Sequence, residues 1–357
     1  MSKCILPFIR HDFSANSPCC KIENFDYQKD LKKLLDDHLN GIKNDFCSDC
    51  WKLEENKVTS KRQESNQNFK KLGIDVKKVQ DRNIKSLVIH TGNVCNLKCV
   101  MCGPSWSTSW KLKSEFIKEK SLKGYEISNY KPSNTVDVSA IKDVEWGEIK
   151  DIEFLGGETL MSKNLWKVLD LVDTDTTISL LTNGTVVLQD WQIKKIQSLK
   201  NIHICLSIDG TDKVFEYCRR SANWDLVQTN ILEYKKLFGI DKLSYNVTVH
   251  NLNIFYIDDI LLKLAKIIPS KSFINIVTEP KQLSIFNLNR VIGNIIKKNN
   301  PFFFKKHKIN FNGNTKSVEN FFSYIKLQDE FDEMSLKDYL PEFYELLKLQ
   351  FPHHWHS

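Results

Sequence analysis

Eight residues, Cys95-Asn-Leu-Lys-Cys99-Val-Met-Cys102, constrain the fold and chemistry of this chain more than any other stretch. They put three thiols at spacings of four and three within one tight loop. Structural zinc sites and ordinary electron-transfer clusters take four protein ligands, so a compact three-thiolate loop implies a metal centre with one open coordination position. An open position is where a substrate or cofactor binds. The apolar, β-branched run just before the loop, at 86–91, predicts a strand that delivers the loop at its C-terminal end.

That strand is the first of a series. Runs at 86–91, 151–155, 177–181, 202–208, 244–250 and 273–278 read as six strands, and between them lie helix candidates near 105–120, 164–173, 190–199, 224–238 and 257–267. Alternation of this kind predicts βα units and a parallel sheet. Each strand ends in a polar or glycine-bearing cluster, in order Thr91-Gly92-Asn93, Gly156-Gly157-Glu158, Thr182-Asn183-Gly184, Ser207-Ile208-Asp209-Gly210, His250-Asn251 and Thr278-Glu279-Pro280. In parallel α/β barrels the C-terminal strand ends carry the chemistry, so six polar ends predict one convergent site. The connection 123–148 carries Gly124 and Pro132 and reads as an irregular excursion. The last fifty residues look mixed, with a helical stretch at 340–349 opened by Pro341.

Ten cysteines occur in 357 residues, eight of them before residue 103. No apolar run approaches a membrane span, and the stretch 4–9, closed by Arg10 and His11, is too short for the core of a signal peptide. The expected location is the cytosol, where thiols stay reduced and clustered cysteines act as metal ligands. Cys4, Cys19, Cys20, Cys47 and Cys50 form the second cluster, in a region with too few apolar side chains for an independent core. Four thiolates with one to spare fit either zinc or a 4Fe–4S cluster. Between these cysteines the spacing of Leu31, Leu34, Leu35, Leu39 and Ile42 predicts an amphipathic helix over 27–42, and the polar stretch 52–71 reads as a long surface helix with little to bury.

On these residues the sequence resembles the radical S-adenosylmethionine (radical SAM) superfamily. The resemblance implies a partial (β/α)6 barrel in which Cys95, Cys99 and Cys102 hold a 4Fe–4S cluster whose fourth iron is chelated by S-adenosylmethionine (SAM). It also implies reductive cleavage of SAM to a 5′-deoxyadenosyl radical that abstracts a substrate hydrogen. Gly156, Gly157 and Glu158 match the segment that bonds the SAM amino group, and Thr182 and Asn183 the next contacting strand end. Ser207, Asp209 and Arg219 resemble the segments that hold ribose and carboxylate, while Val249, His250 and Met101 fall where the adenine lies. The N-terminal cysteines resemble the twitch and SPASM modules, which implies an auxiliary 4Fe–4S cluster on Cys4, Cys20, Cys47 and Cys50, with Cys19 the alternate. The implied division is an iron–sulfur module and bridging helix at 1–72, the barrel at 73–285 and a C-terminal extension at 286–357.

Lysine and arginine exceed the acids by 51 to 44, a formal +7, but the basic doublets are dispersed and read as solvated surface. Two clusters would bring this to about +4, so the balance argues against a nucleic-acid partner. The expected partners are a substrate and an electron donor such as flavodoxin or ferredoxin. Twitch and SPASM relatives imply oxidation or crosslinking of a peptide or protein side chain, with small-molecule work on an aminocyclitol or nucleotide as the alternative. A non-enzymatic zinc protein that binds RNA or a partner is the alternative from a different class. Cys205 and Cys218 read as core residues, as do Trp106, Trp110, Tyr125, Tyr130 and Trp146, whose other reading is a channel lining. The tail His353-His354-Trp355-His356 reads as exposed surface.

Overall fold

The computed structural model describes residues 3–13, 17–19, 22, 25–55, 59–120, 141, 144–270 and 272–352. Cys20, Tyr125, Tyr130, the histidine-rich tail and nearly all of the 123–148 excursion lie outside the described residues. A helical turn α1 (Leu6–Ile9) leads into β1 (Arg10–Asp12), and α2 (Tyr27–Leu39), α3 (Ser48–Glu55) and α4 (Lys61–Lys71) follow. Then come β2 (Ser86–His90), α5 (Lys111–Lys120), β3 (Asp151–Leu155), α6 (Lys163–Leu169), β4 (Thr177–Thr182), α7 (Asp190–Gln197) and β5 (Asn201–Ser207). The succession ends with α8 (Asp212–Cys218), α9 (Trp224–Phe238), β6 (Leu243–Val249), α10 (Ile257–Ile267) and β7 (Ser272–Ile276). Five helices complete the chain: α11 (Arg290–Asn299), α12 (Pro301–Lys306), α13 (Thr315–Asp332), α14 (Leu336–Tyr339) and α15 (Pro341–Gln350).

All seven strands lie parallel in one curled half-barrel sheet, in chain order from β1 to β7. The six strands expected from the sequence are all present, each within two residues of its expected ends. The seventh is a correction. β1 pairs with β2 in the register Arg10↔Ser86 to Asp12↔Val88, so the N-terminal region supplies an edge of the barrel sheet. Three residues reading Arg-His-Asp carry no β-branched signal, and the apolar stretch before them folds as α1 instead. The sheet is thick with buried apolar side chains on its helix-facing side, among them Leu87, Ile89, Ile152, Phe154, Ile178, Leu180, Ile204 and Leu206.

Two further expectations are corrected. The polar stretch 52–71 is two helices: α3 ends at Glu55, and α4 starts afresh at Ser60, whose hydroxyl accepts the Gln63 amide while the Gln63 side chain accepts the Ser60 amide. It also buries more than its composition suggests, because Arg62, Ser65 and Phe69 are inside, with the Arg62–Glu54 ion pair satisfying the charge. The N-terminal region has a small apolar cluster of its own, in which Ile5, Leu6, Phe8, Ile9, Ile22, Leu34 and Phe69 surround Cys4 and Cys19. The C-terminal residues, read as mixed, are helical and share the barrel's core through Ile292, Ile296, Phe303, Phe321, Ile325, Leu340 and Phe343.

Candidate active site

The three-cysteine loop leaves the end of β2 and runs to α5. Cys95 and Cys99 are buried and Cys102 half-buried. Loops at barrel ends move unless tied down, and this one is tied at nearly every residue. Lys98 and Val100 donate their amides to the carbonyls of Arg220 (2.9 Å) and Cys218 (2.9 Å). Ser109 Oγ donates to the Cys95 carbonyl (2.7 Å), Ser107 Oγ to that of Leu97 (2.7 Å), and Trp110 Nε1 to that of Cys99 (3.0 Å). From α13, Tyr324 OH (2.8 Å) and Gln328 Nε2 (3.2 Å) both donate to the Val100 carbonyl.

The thiols themselves face donors. The Leu97 amide lies 3.5 Å from Cys95 Sγ, Asn183 Nδ2 lies 3.8 Å from the same sulfur, and Arg219 Nη1 lies 4.0 Å from Cys99 Sγ. Burial pushes all three thiols up, Cys102 to about 12, and Cys99 and Cys102 are raised further by the charge of neighbouring thiols. Arg219 works in the opposite direction on each. Left alone these thiols stay protonated, whereas a bound metal group takes them as thiolates and turns the donors around them into stabilising partners. Among the described residues no three His, Cys, Asp or Glu side chains are gathered as ligands of a single metal ion.

Beside the loop lies a cavity of about 200 Å³, lined by Trp106, Leu155, Gly156, Gly157, Leu181, Thr182, Asn183, Ser207 and Arg219. The ends of β3, β4 and β5 therefore meet at one space, as their polar termini imply. Of the residues singled out from the sequence, six line it: Gly156, Gly157, Thr182, Asn183, Ser207 and Arg219. The others stand behind. Glu158 does not line the cavity; its buried carboxylate accepts from Thr182 Oγ1 (2.8 Å), the Leu160 amide (3.0 Å) and the Asn183 amide (2.6 Å). It staples the end of β3 to the end of β4.

Asp209 likewise sits behind the cavity. It pairs with Arg219 Nη2 at 2.8 Å and accepts the Thr248 amide at 2.7 Å, so it aims the arginine rather than touching the space. Val249 and His250 are fully buried and do not line the cavity; His250 Nδ1 accepts the Leu252 amide at 3.2 Å. Burial holds His250 down to about 3, with Arg219 adding to the effect. Met101 is half-buried and packs against the cysteine loop.

Gly156 and Gly157 are required for a reason the sequence did not disclose. A Cβ at Gly157 would stand 2.5 Å from the Val94 carbonyl oxygen, and one at Gly156 2.5 Å from Thr91 Oγ1. The close approach is made by the chain's own cysteine loop. Gly157 and Glu158 donate their amides to the carbonyls of Gly92 (2.9 Å) and Val94 (2.7 Å), which zips the β3 end to the loop. Trp106 and Trp110, read as alike, part company: Trp110 is core, while Trp106 packs at a tilt against His90 (centroids 4.7 Å apart) and lines the cavity. Cys205 and Cys218 are buried as expected.

Residues 89–264 match the radical SAM superfamily. That stretch is a radical SAM superfamily domain. Over 196 residues the chain is 26% identical to GTP 3′,8-cyclase of Campylobacter lari (strain RM2100 / D67 / ATCC BAA-1060), a match that covers 52% of this chain and spans about half of that relative, 53%. Among solved structures it is similar to Streptococcus suis SuiB bound to precursor peptide SuiA (15% identity, 84% of this chain and 63% of that one, TM-score 0.40). It is also similar to native anSMEcpe with bound AdoMet (16% identity, 70% and 62%, TM-score 0.39). No helix among the described residues is long and apolar enough to cross a membrane.

Outside the radical SAM domain, the N-terminal cysteines form a second group. Cys4, Cys19 and Cys50 are buried and Cys47 half-buried. Burial pushes Cys4 and Cys47 up to about 12, and the charge of Cys50 raises both further, with Arg62 opposing. Sequence reasoning missed His38, which α2 places with Nε2 3.6 Å from Cys47 Sγ and Nδ1 3.5 Å from the Cys4 amide nitrogen. With Nδ1 accepting, the Nε2 proton points at sulfur. None of the nine described cysteines is in a disulfide.

Proposed function

We propose that this chain binds a 4Fe–4S cluster through Cys95, Cys99 and Cys102, holds SAM in the cavity beside it, and starts radical chemistry on a peptide or protein side chain. When bound, the cluster and SAM supply one-electron cleavage of the S–C5′ bond and the 5′-deoxyadenosyl radical that takes a substrate hydrogen. The chain supplies position and dryness. The observation that carries the reading is the cavity that joins three strand ends to a buried three-thiol loop. Its polar wall, from Thr182, Asn183, Ser207 and Arg219, suits the amino-acid and ribose ends of SAM, and Trp106 offers a flat apolar face. Arg219 has two tasks there, facing the Cys99 sulfur with one nitrogen and Asp209 with the other.

We further propose an auxiliary 4Fe–4S cluster on Cys4, Cys47, Cys50 and either Cys20 or Cys19, served by an electron donor such as flavodoxin or ferredoxin. The twitch-like cysteine pattern supports a peptide substrate. A nucleotide-like substrate is the second reading, favoured by the 26% identity to an enzyme named for GTP.

Anaerobic reconstitution with iron and sulfide, followed by SAM and dithionite, tests both levels. The expected result is roughly eight irons per chain and 5′-deoxyadenosine formation that Cys99→Ala abolishes. Undiminished formation in Cys99→Ala refutes the assignment. Stimulation of 5′-deoxyadenosine release by GTP, with none by candidate peptides, selects the second reading.

A further inference from the structure

Against the cysteine loop, among residues that do not line the cavity, a buried charge network joins four elements. Asp332, at the end of α13, accepts Lys113 Nζ of α5 at 2.5 Å, Lys98 Nζ of the loop at 2.7 Å and Arg220 Nη1 at 3.2 Å. Asp329, one turn earlier, takes Arg220 Nη2 at 2.5 Å and the Tyr217 hydroxyl at 2.8 Å. The side chains of Lys113 and Arg220 are wholly buried and that of Asp332 nearly so. Three cations face two carboxylates, which leaves one positive charge in excess.

Burying that many charges is costly, and a network this dry contributes little to net stability compared with apolar packing. Its placement suggests another use. Lys98 is next to Cys99, the Arg220 carbonyl takes the Lys98 amide, and Lys113 lies 4.6 Å above the Trp110 ring whose Nε1 holds the Cys99 carbonyl. The Lys113 charge reaches the Cys102 thiol, which it favours as thiolate.

We propose that Lys113 and Asp332 are positioning residues that set the reduction potential of the cluster held by Cys95, Cys99 and Cys102, the excess cation favouring the reduced, more negative form. The proposal rests on the cluster reading above. In a low-dielectric setting an unscreened charge acts at longer range than at the surface, and charge near a cluster is one of the levers that moves its potential. The opposite signs of the two residues make the idea testable, since damage to the fold would not move a potential in two directions.

The experiment is potentiometric titration of reconstituted protein with dithionite, each reduced cluster accepting one electron, followed by electron paramagnetic resonance and run at pH 6.5 to keep Lys113 protonated. Burial, helped by the charges of Arg220 and Lys98 and opposed by Asp332, holds that ammonium down at about 7. Lys113→Met is expected to lower the midpoint, Asp332→Asn to raise it, and the double variant to return toward the parent. Lys113→Arg keeps the charge and should leave the midpoint in place. Midpoints that stay put, or that shift the same way in both single variants, overturn the proposal. Should Lys113→Met not fold, Asp332→Asn decides alone, a raised midpoint supporting the proposal and an unchanged one overturning it. Parent protein without a SAM-responsive cluster signal overturns the cluster reading itself, an outcome distinct from a cluster that binds but ignores these substitutions.

Discussion

In the loop after β2, three thiols are fixed by hydrogen bonds from the turn at Ser107–Trp110, the segment after α8, the end of β3 and α13, and they lie in the field of Arg219. Cys4, Cys47 and Cys50 sit otherwise, against a small apolar cluster on helical turns, with the neutral His38 beside them and Arg62 as the cation they feel. The first group is shaped by the barrel before any metal arrives. The second leans on a core so small that a bound group would complete it. The difference separates thiols preorganised by the barrel from thiols that, under the proposed auxiliary cluster, would help to build their own surroundings.

Swapping the damage between the two groups tests this most strongly. Cys99→Ala with Cys102→Ala should abolish 5′-deoxyadenosine formation and remove about half of the iron while the N-terminal region stays folded, as read by limited proteolysis. Cys47→Ala with Cys50→Ala should also remove about half of the iron, keep SAM binding measurable by calorimetry, and leave residues 3–71 open to protease. Equal protease resistance in the two double variants would erase the contrast.

A smaller effect is expected where the loop meets β3. Gly157→Val drives a side chain into the Val94 carbonyl, so the β3 end must separate from the loop. Iron at the loop should then fall along with SAM affinity; a variant that keeps its iron and loses only SAM would mean that the glycine serves the ligand alone.

The barrel end also carries an acid weakness of its own. Because burial lowers His250 to about 3 from an unfolded value near 6.5, the neutral ring contributes stability that is present above pH 6.5 and lost as pH falls toward 3. Between pH 7 and pH 5 that loss amounts to roughly 2 kcal/mol. His250→Leu should flatten this part of the urea-unfolding profile relative to the parent. Smaller still, Glu158→Gln should cost about 1–2 kcal/mol by weakening the staple between β3 and β4, without abolishing SAM binding. A loss of affinity as deep as that of Gly157→Val would return Glu158 to the cavity wall.

The strands and the cavity were legible in the sequence because both follow from local signals, β-branched runs and the polar residues that close them. What escaped notice depends on partners distant in the chain. β1 is a strand only because β2 is there to pair with it, and Arg10-His11-Asp12 announces nothing alone. Glu158 stands in a segment that reads as a ligand contact, and nothing local announces that its oxygens also accept from Thr182 and Asn183. Lys113 looks like any helix-surface lysine until Asp332, more than two hundred residues later, is brought against it. The helix carrying Asp332 could have been seen, since Val318, Phe321, Ile325 and Gln328 recur on one face after the Asn314 cap.

The pairing of β1 with β2 bears on how the molecule comes into being. Arg10 has Ser86 as its neighbour across the sheet, more than seventy residues later in the chain, so β1 must wait, unzipped, until the strand that leads into the cysteine loop has been made. Assembly of the two thiol-bearing regions is thereby synchronised: neither edge of the seam can close ahead of the other.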